Sequence, residues 1–386
     1  MTIKFDIQKH MRLLRDNTNE LHLVSKEITY LPVLWRFTNL MVINCSDNHL
    51  RFLPVLPVTL VKLNCCLNKI TKLPELPVSL EILICDENQL TCLPKLPFGL
   101  KILNCSDNQI IGMPKLPSTL KELWCSYNQI QYLPVLPMGL ELLFCDHNEL
   151  TCLPPLPPSL EELSCNANKL VMLDFSLPSG LTMLSFTSNR VSVLPALPSG
   201  LIELDCNMNE LSVLPSLPSG LQVLDCSHNR LKELGPLPVG LTNLMCNNNQ
   251  LSLIVGPLPV GLKIFYAYQN QLSSIGPLPF GLQSLIVHHN CFSMLPDMPL
   301  SLFNMIVCYN PELIYRTLDI RCINETNLKI KKFVFLYFCL RFRAAFRRWL
   351  WEGVRLRAVN LRYHPSRVAW LLEEGGVELE ELEMHL

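Results

Sequence analysis

The sequence predicts a solenoid of stacked coils with a parallel sheet along one side, and three observations carry that prediction. Asparagines stand on a ruler at Asn48, Asn68, Asn88, Asn108, Asn128, Asn148, Asn168, Asn189, Asn209, Asn229, Asn249, Asn270, Asn290 and Asn310; eleven of the thirteen spacings are 20 residues and two are 21. One pattern surrounds them, clearest from Leu80 to Leu100 as LEILICDENQLTCLPKLPFGL. Paired prolines, LPxLP, follow in most repeats. A fixed period in this range marks an array in which each repeat packs mainly on its neighbours, so the length of 386 residues does not imply several domains.

Written out, the unit is LxxLxCxxNxLxxLPxLPxx, and its LxxLxCxxN segment is the leucine-rich repeat signature with Cys in a slot that usually takes Leu. Alternation along a short strand sends Leu63 and Cys65 to one side and Lys62, Asn64 and Cys66 to the other. The first set is buried between coils; the second lines the concave face. The asparagine closes the strand, and its amide both donates and accepts, satisfying backbone groups that the turn would otherwise leave unpaired. The fourteen asparagines are thus a structural ladder. LPxLP cannot be helical, because its prolines lack donors and push their neighbours to extended backbone. It predicts a polyproline-like return along the convex side.

Cysteine fills the slot three before the asparagine at Cys45, Cys65, Cys85, Cys105, Cys125, Cys145, Cys165, Cys206, Cys226 and Cys246, while Phe186, Ala267, Val287 and Val307 fill the others. A slot that accepts Cys, Phe, Ala or Val asks for a buried hydrophobe, which a free thiol supplies. Neighbours on parallel strands are poorly placed for disulfides, and no CxxC pair exists, so neither metal nor cofactor is expected. Reduced thiols and a charged start, MTIKFDIQKHMRLLRDN, without a secretory h-region predict an intracellular protein, in the host cytoplasm if viral or an effector. No apolar run is long enough to span a membrane.

The unit resembles the short repeats of type III-secreted enterobacterial effectors and similar arrays of large, marseillevirus-like DNA viruses of amoebae. The resemblance covers Leu40 to about Leu318 and rests on the LPxLPxxLxxLxCxxN register. Some such effectors append a ubiquitin-ligase domain with a CxD nucleophile motif. The triplets Cys45-Ser46-Asp47 and Cys105-Ser106-Asp107 fall inside the repeat register with the Cys buried, and the C-terminal segment has none. The resemblance therefore implies the scaffold and not the enzyme.

Concave residues follow by counting back six, four and two positions from each asparagine. This selects a partner-binding strip of Glu122, Trp124, Phe144, Asp146, Glu162, Glu203, Asp205, Asp225, Tyr266 and Tyr268, with His288 beside it. Asp86 brings the concave acids to seven, against Lys62 as the one base. Clustered acids steer basic partners, and Trp and Tyr anchor interfaces. The competing reading is that these side chains merely solvate the face, but exposed Trp124 and Phe144 would then be a solubility liability.

The chain divides by this reading into an N-terminal cap with a degenerate repeat over 1–39, where Lys26 replaces the asparagine, a repeat array over 40–318, and a basic helical segment with an acidic tail over 319–386. In that last segment Phe335, Phe338, Phe342, Phe346 and Trp349 share one helical arc, with Arg341, Arg343, Arg347 and Arg348 around the remainder. A second helix is expected from Pro365 to Gly375-Gly376. No GxGxxG, P-loop, HExxH or GxSxG motif occurs, and the net charge of -1 gives the array no general attraction to nucleic acid. The expected function is a non-enzymatic scaffold that binds a protein with a basic surface through the concave acidic and aromatic face. Two alternatives are a substrate-recruiting adaptor for a host ubiquitin ligase, and membrane or calmodulin-like contact through 327–352.

Overall fold

The computed structural model describes residues 5–173 and 176–310; the helices expected beyond 319 lie outside them. Fifteen strands form one parallel sheet in strict chain order. They are Glu20–His22, Val42–Asn44, Lys62–Asn64, Ile82–Ile84, Ile102–Asn104, Glu122–Trp124, Leu142–Phe144, Glu162–Ser164, Met183–Ser185, Glu203–Asp205, Val223–Asp225, Asn243–Met245, Ile264–Tyr266, Ser284–Ile286 and Asn304–Ile306. Pairing never slips: Leu63 stands opposite Ile43 and Leu83, and Trp124 opposite Asn104 and Phe144. Positions are numbered here from the asparagine, so that each strand runs from −6 to −4.

Burial explains why the register holds. The leucine at −5 and the cysteine at −3, as in Leu63, Cys65, Leu103 and Cys105, have no exposed surface. A one-residue slip would turn this column outward. Where Cys is replaced, Phe186 and Ala267 are equally buried. Thiol hydrogens point at the next coil, as in Cys206 Sγ to the carbonyl of Asp225 at 3.3 Å.

Each asparagine bonds two coils together. Asn68 Oδ1 accepts the N–H of Leu50 in the preceding coil at 2.9 Å, and its Nδ2 faces the carbonyls of Cys45, Cys65 and Cys66 at 3.0, 3.2 and 3.1 Å. The same arrangement recurs from Asn48 to Asn310. Asn108 and Asn249 are half-buried and the other twelve buried.

Residue −1 departs from the strand alternation that the sequence predicts. In all fourteen repeats it takes a left-handed φ between 49° and 58°, without a glycine among them. Side chains pay about 1–2 kcal/mol for that conformation. Leu67, Tyr127 and Met208 tolerate it because the flanking bonds hold the turn: Leu67 N–H donates to Asp86 O and Asn68 N–H to Glu87 O, both at 3.1 Å.

The return leg is extended, without helix, and ends in a turn opened by the second proline, as where Leu60 N–H donates to Pro57 O at 3.1 Å. Two repeats read LKELGPLP and LSLIVGPLP, with Gly235 and Val255 in place of the first proline. There a second, two-stranded sheet forms, Glu233–Leu234 with Leu253–Ile254, and the N–H of Val255, which a proline would lack, donates to Leu234 O at 2.9 Å.

At the N-terminal end the first strand, Glu20–His22, pairs with Val42–Asn44. The N–H groups of Lys26 and Ile28 both donate to Asn48 Oδ1. Helix α1, Ile7–Leu13, precedes it, capped by Asp6 and burying Ile7 and Met11. Arg36 ties it down by donating to the carbonyls of Met11 and Leu14 and pairing with Asp16 at 3.2 Å.

Candidate functional site: the concave face

The three concave columns are less open than counting along the strand suggests. Coils in a parallel sheet lie about 4.8 Å apart, so same-column side chains pack on one another. Trp124 and Phe144 stack face to face, centroids 4.1 Å apart and planes 3° from parallel. Phe144 is left only 5% exposed and Trp124 half-buried. The expectation that both stand exposed is therefore corrected: their own stacking covers Phe144. Asp225, at 3% exposure, is likewise buried. Glu122, Asp146, Glu162, Glu203, Asp205, Tyr266 and Tyr268 are half-buried.

Much of the polar surface is organised within the face. At −4, an Asn or Asp accepts the N–H two residues on, at the strand's end: Asn44 from Ser46, Asn64 from Cys66, Asn104 from Ser106, Asp205 from Asn207 and Asp225 from Ser227, at 3.0–3.2 Å. These side chains have a backbone-capping task that sequence counting did not distinguish from binding. Between Asp146 and Asp205 the bonds form a chain across four coils. Ser164 Oγ and Asn166 N–H donate to Asp146 Oδ1 at 2.6 and 2.7 Å. Ser185 Oγ and Thr187 N–H donate to Asn166 Oδ1, and Thr187 Oγ1 to Asp205 Oδ1 at 2.8 Å.

Electrostatics follow from that burial. Desolvation raises the Asp146 carboxyl above its ordinary value, against the opposing effect of the Ser164 and Asn166 donors. Desolvation lowers the Lys62 ammonium, weakening the one concave base. Burial also raises the phenol of Tyr268 and lowers His288, which its neighbour His289 lowers further. The thiols at −3 are held protonated by burial, Cys45 and Cys105 pushed up to about 12. Their CxD matches therefore carry no nucleophile. No group of three or more metal-ligating side chains occurs among the described residues.

Toward the last coils a second aromatic group forms. Tyr268 stacks on His288 at 4.7 Å, His288 meets His289 edge-on, and His289 stacks on Tyr309 at 4.3 Å. Ser284 Oγ donates to Tyr266 Oη at 3.2 Å. His289 and Tyr309 occupy −1, as do Tyr127 and His147, which stack at 4.2 Å. Counting by twos misses this column, because its left-handed φ breaks strand alternation. Tyr127 is 52% and Tyr309 68% exposed. Exposed aromatics beside the concave strip were thus overlooked, and only their recurrence immediately before the asparagine signals them.

Ion pairs between coils run in other columns. Lys101 meets Glu81 and Lys121 meets Glu141 at −7, each at 2.7 Å; Arg230 meets Glu210 at +1, at 2.8 Å. Along the −6 column acids instead alternate with uncharged groups from Glu122 to Val223, whereas at −4 Asp205 and Asp225 stand opposite each other on neighbouring strands.

No family model and no curated protein sequence matches the chain. Solved structures do. The leucine-rich effector YopM from Yersinia pestis superposes with a TM-score of 0.65 at 31% identity, over 75% of this chain and 88% of that one. YopM from Yersinia enterocolitica WA-314 gives 0.53 at 32% identity, over 75% and 77%. The functional domain of InlJ from Listeria monocytogenes, described as including a cysteine ladder, gives 0.57 at 25% identity, over 71% and 68%.

Proposed function

The chain belongs to the leucine-rich repeat proteins with YopM-like repeats, and from that premise we propose that it is a non-enzymatic scaffold binding a basic protein partner through its concave strip. The carrying observation is the charge of the three concave columns, seven acids against Lys62, whose charge burial further disfavours. Glu122, Glu162 and Glu203 at −6 keep part of their surface in water, where a partner's Lys or Arg would meet their charge. Their neighbours are already locked by the Asp146–Asp205 chain of bonds, so little side-chain entropy remains to be lost on binding. Trp124, half-buried on Phe144, offers a rigid apolar anchor at one end, and Tyr266 and Tyr268 at the other. The buried free thiols fit a reducing, intracellular setting.

The test is a neutralising variant, E122Q/E162Q/E203Q/D205N/D225N. Asn keeps the oxygen that accepts from Asn207 and Ser227, so the fold is retained while the charge is lost. Capture of basic proteins from host lysate should disappear, with unchanged circular dichroism. A capture profile identical to wild type would sink the reading.

A further inference from the structure

We propose that a cleft among the first coils, lined by Thr29, His49, Arg51 and Lys69, binds a phosphate monoester. The cleft has a volume of about 320 Å³, room for a phosphoryl group and part of the molecule bearing it. It lies on the loop after the asparagine, at +1 and +3, and so outside the acidic concave columns. Backbone bonds between coils bring its lining together: His49 N–H donates to Ile28 O and Lys69 N–H to Leu50 O, both at 2.9 Å, and Thr71 N–H to Arg51 O at 3.4 Å.

Charge singles the place out within its own columns. Farther along +1 Lys169 pairs with Glu149 and Arg230 with Glu210 across coils, while Arg190 stands between the already paired Lys169 and Glu210. Lys69 has His49 and Gln89 as column neighbours, and no ion pair holds His49, Arg51 or Lys69 among the described residues. The neighbouring acid in the column is Glu27, exposed like the four lining residues, and one carboxylate against Arg51 and Lys69 leaves the cations in excess.

The lining is made mostly of donors. Arg presents a planar fork, Lys three N–H groups and no acceptor, Thr a hydroxyl and His a ring N–H. A tetrahedral dianion offers three oxygens and two charges to such a set, whereas a carboxylate offers two oxygens and one charge. The chemistry is shared by a soluble phosphate ester and by a phosphorylated lipid headgroup.

Calorimetric titration of the full chain with inorganic phosphate, glycerol phosphate and acetate at matched ionic strength tests the site. The phosphates should bind with one-to-one stoichiometry and at least tenfold more tightly than acetate. The variant R51Q/K69Q should weaken them at least tenfold with unchanged ligand-free Tm. K101Q/K121Q, which removes two lysines already paired with Glu81 and Glu141, should bind as wild type. Flotation with vesicles carrying a phosphatidylinositol monophosphate assigns the source: R51Q/K69Q-sensitive flotation points to a headgroup, and none to a soluble ester. Equal affinity for acetate and phosphate, wild-type affinity in R51Q/K69Q, or an equal loss in K101Q/K121Q would each overturn the proposal.

Discussion

Two columns of this array, the asparagines at position 0 and the side chains at −4, share a period and differ in everything else. Position 0 carries one residue type from Asn48 to Asn310; position −4 runs through Asn, Ile, Trp, Phe, Ser, Asp, Met and Tyr. The difference follows from the number of backbone groups that depend on each side chain. Asn148 serves four, accepting from Ile130 N–H and facing the carbonyls of Cys125, Cys145 and Asp146. Trp124 at −4 stacks on Phe144 and has one polar bond of its own, to Glu122. A column with four obligations has one solution, and a column with fewer is open to recognition.

The largest expected effect breaks the core common to both columns. Burial holds the −3 thiols protonated, Cys45 and Cys105 up to about 12 against an ordinary 9.0. A raised folded-state value means that the stability is fully present below 9.0 and drains away as pH rises toward 12. Unfolding by alkali should therefore be cooperative in that window, followed by circular dichroism. A chain still folded at the top of it would break the account. At neutral pH the same burial predicts that iodoacetamide labels Cys92, Cys152 and Cys291 while Cys105 stays unmodified, as read by mass spectrometry.

Next in size is the ladder. Asn148→Ala leaves buried carbonyls and an N–H unpaired, at a cost of up to about 3 kcal/mol by denaturant titration. A cost near zero would mean that water replaces the amide. Trp124→Ala should be gentler on the fold, about 1 kcal/mol for the lost stack on Phe144, and harsher on partner binding, tenfold or more. Equal damage to stability and binding would erase the contrast between the columns. The smallest effect inverts the sign. Burial raises the carboxyl of Asp146, so its charge opposes folding at neutral pH. Asp146→Asn keeps an oxygen for Ser164 and Asn166 and should leave the chain as stable or more so, within about 1 kcal/mol, while weakening a basic partner.

Period and chemistry make the coils legible in the sequence. The strand positions, the buried Leu and Cys columns and the amide's double role can be read from spacing and from the slots that tolerate Cys, Phe, Ala or Val. Helix α1 was missed, although Asp6 as cap and the pair Ile7 and Met11, four apart, carry its signal. The left-handed turn at −1 was missed because Leu67 and Tyr127 are poor candidates for it, and only the bonds on either side impose it. Within the concave strip, Phe144 was expected to stand exposed and is 5% exposed, and Asp225 is 3% exposed.

The amino-acid sequence by itself determined the register of this protein, because period-two alternation against a buried column admits one alignment and the asparagine marks it in every coil. Tertiary structure alone decided which concave side chains still meet water. Exposure there depends on the side chain one coil away, some twenty residues distant in sequence, and not on the residue's own place along its strand. That is why Trp124 stays half-buried while Phe144 is buried, and why Asp205 and Asp225, identical in register, differ in burial.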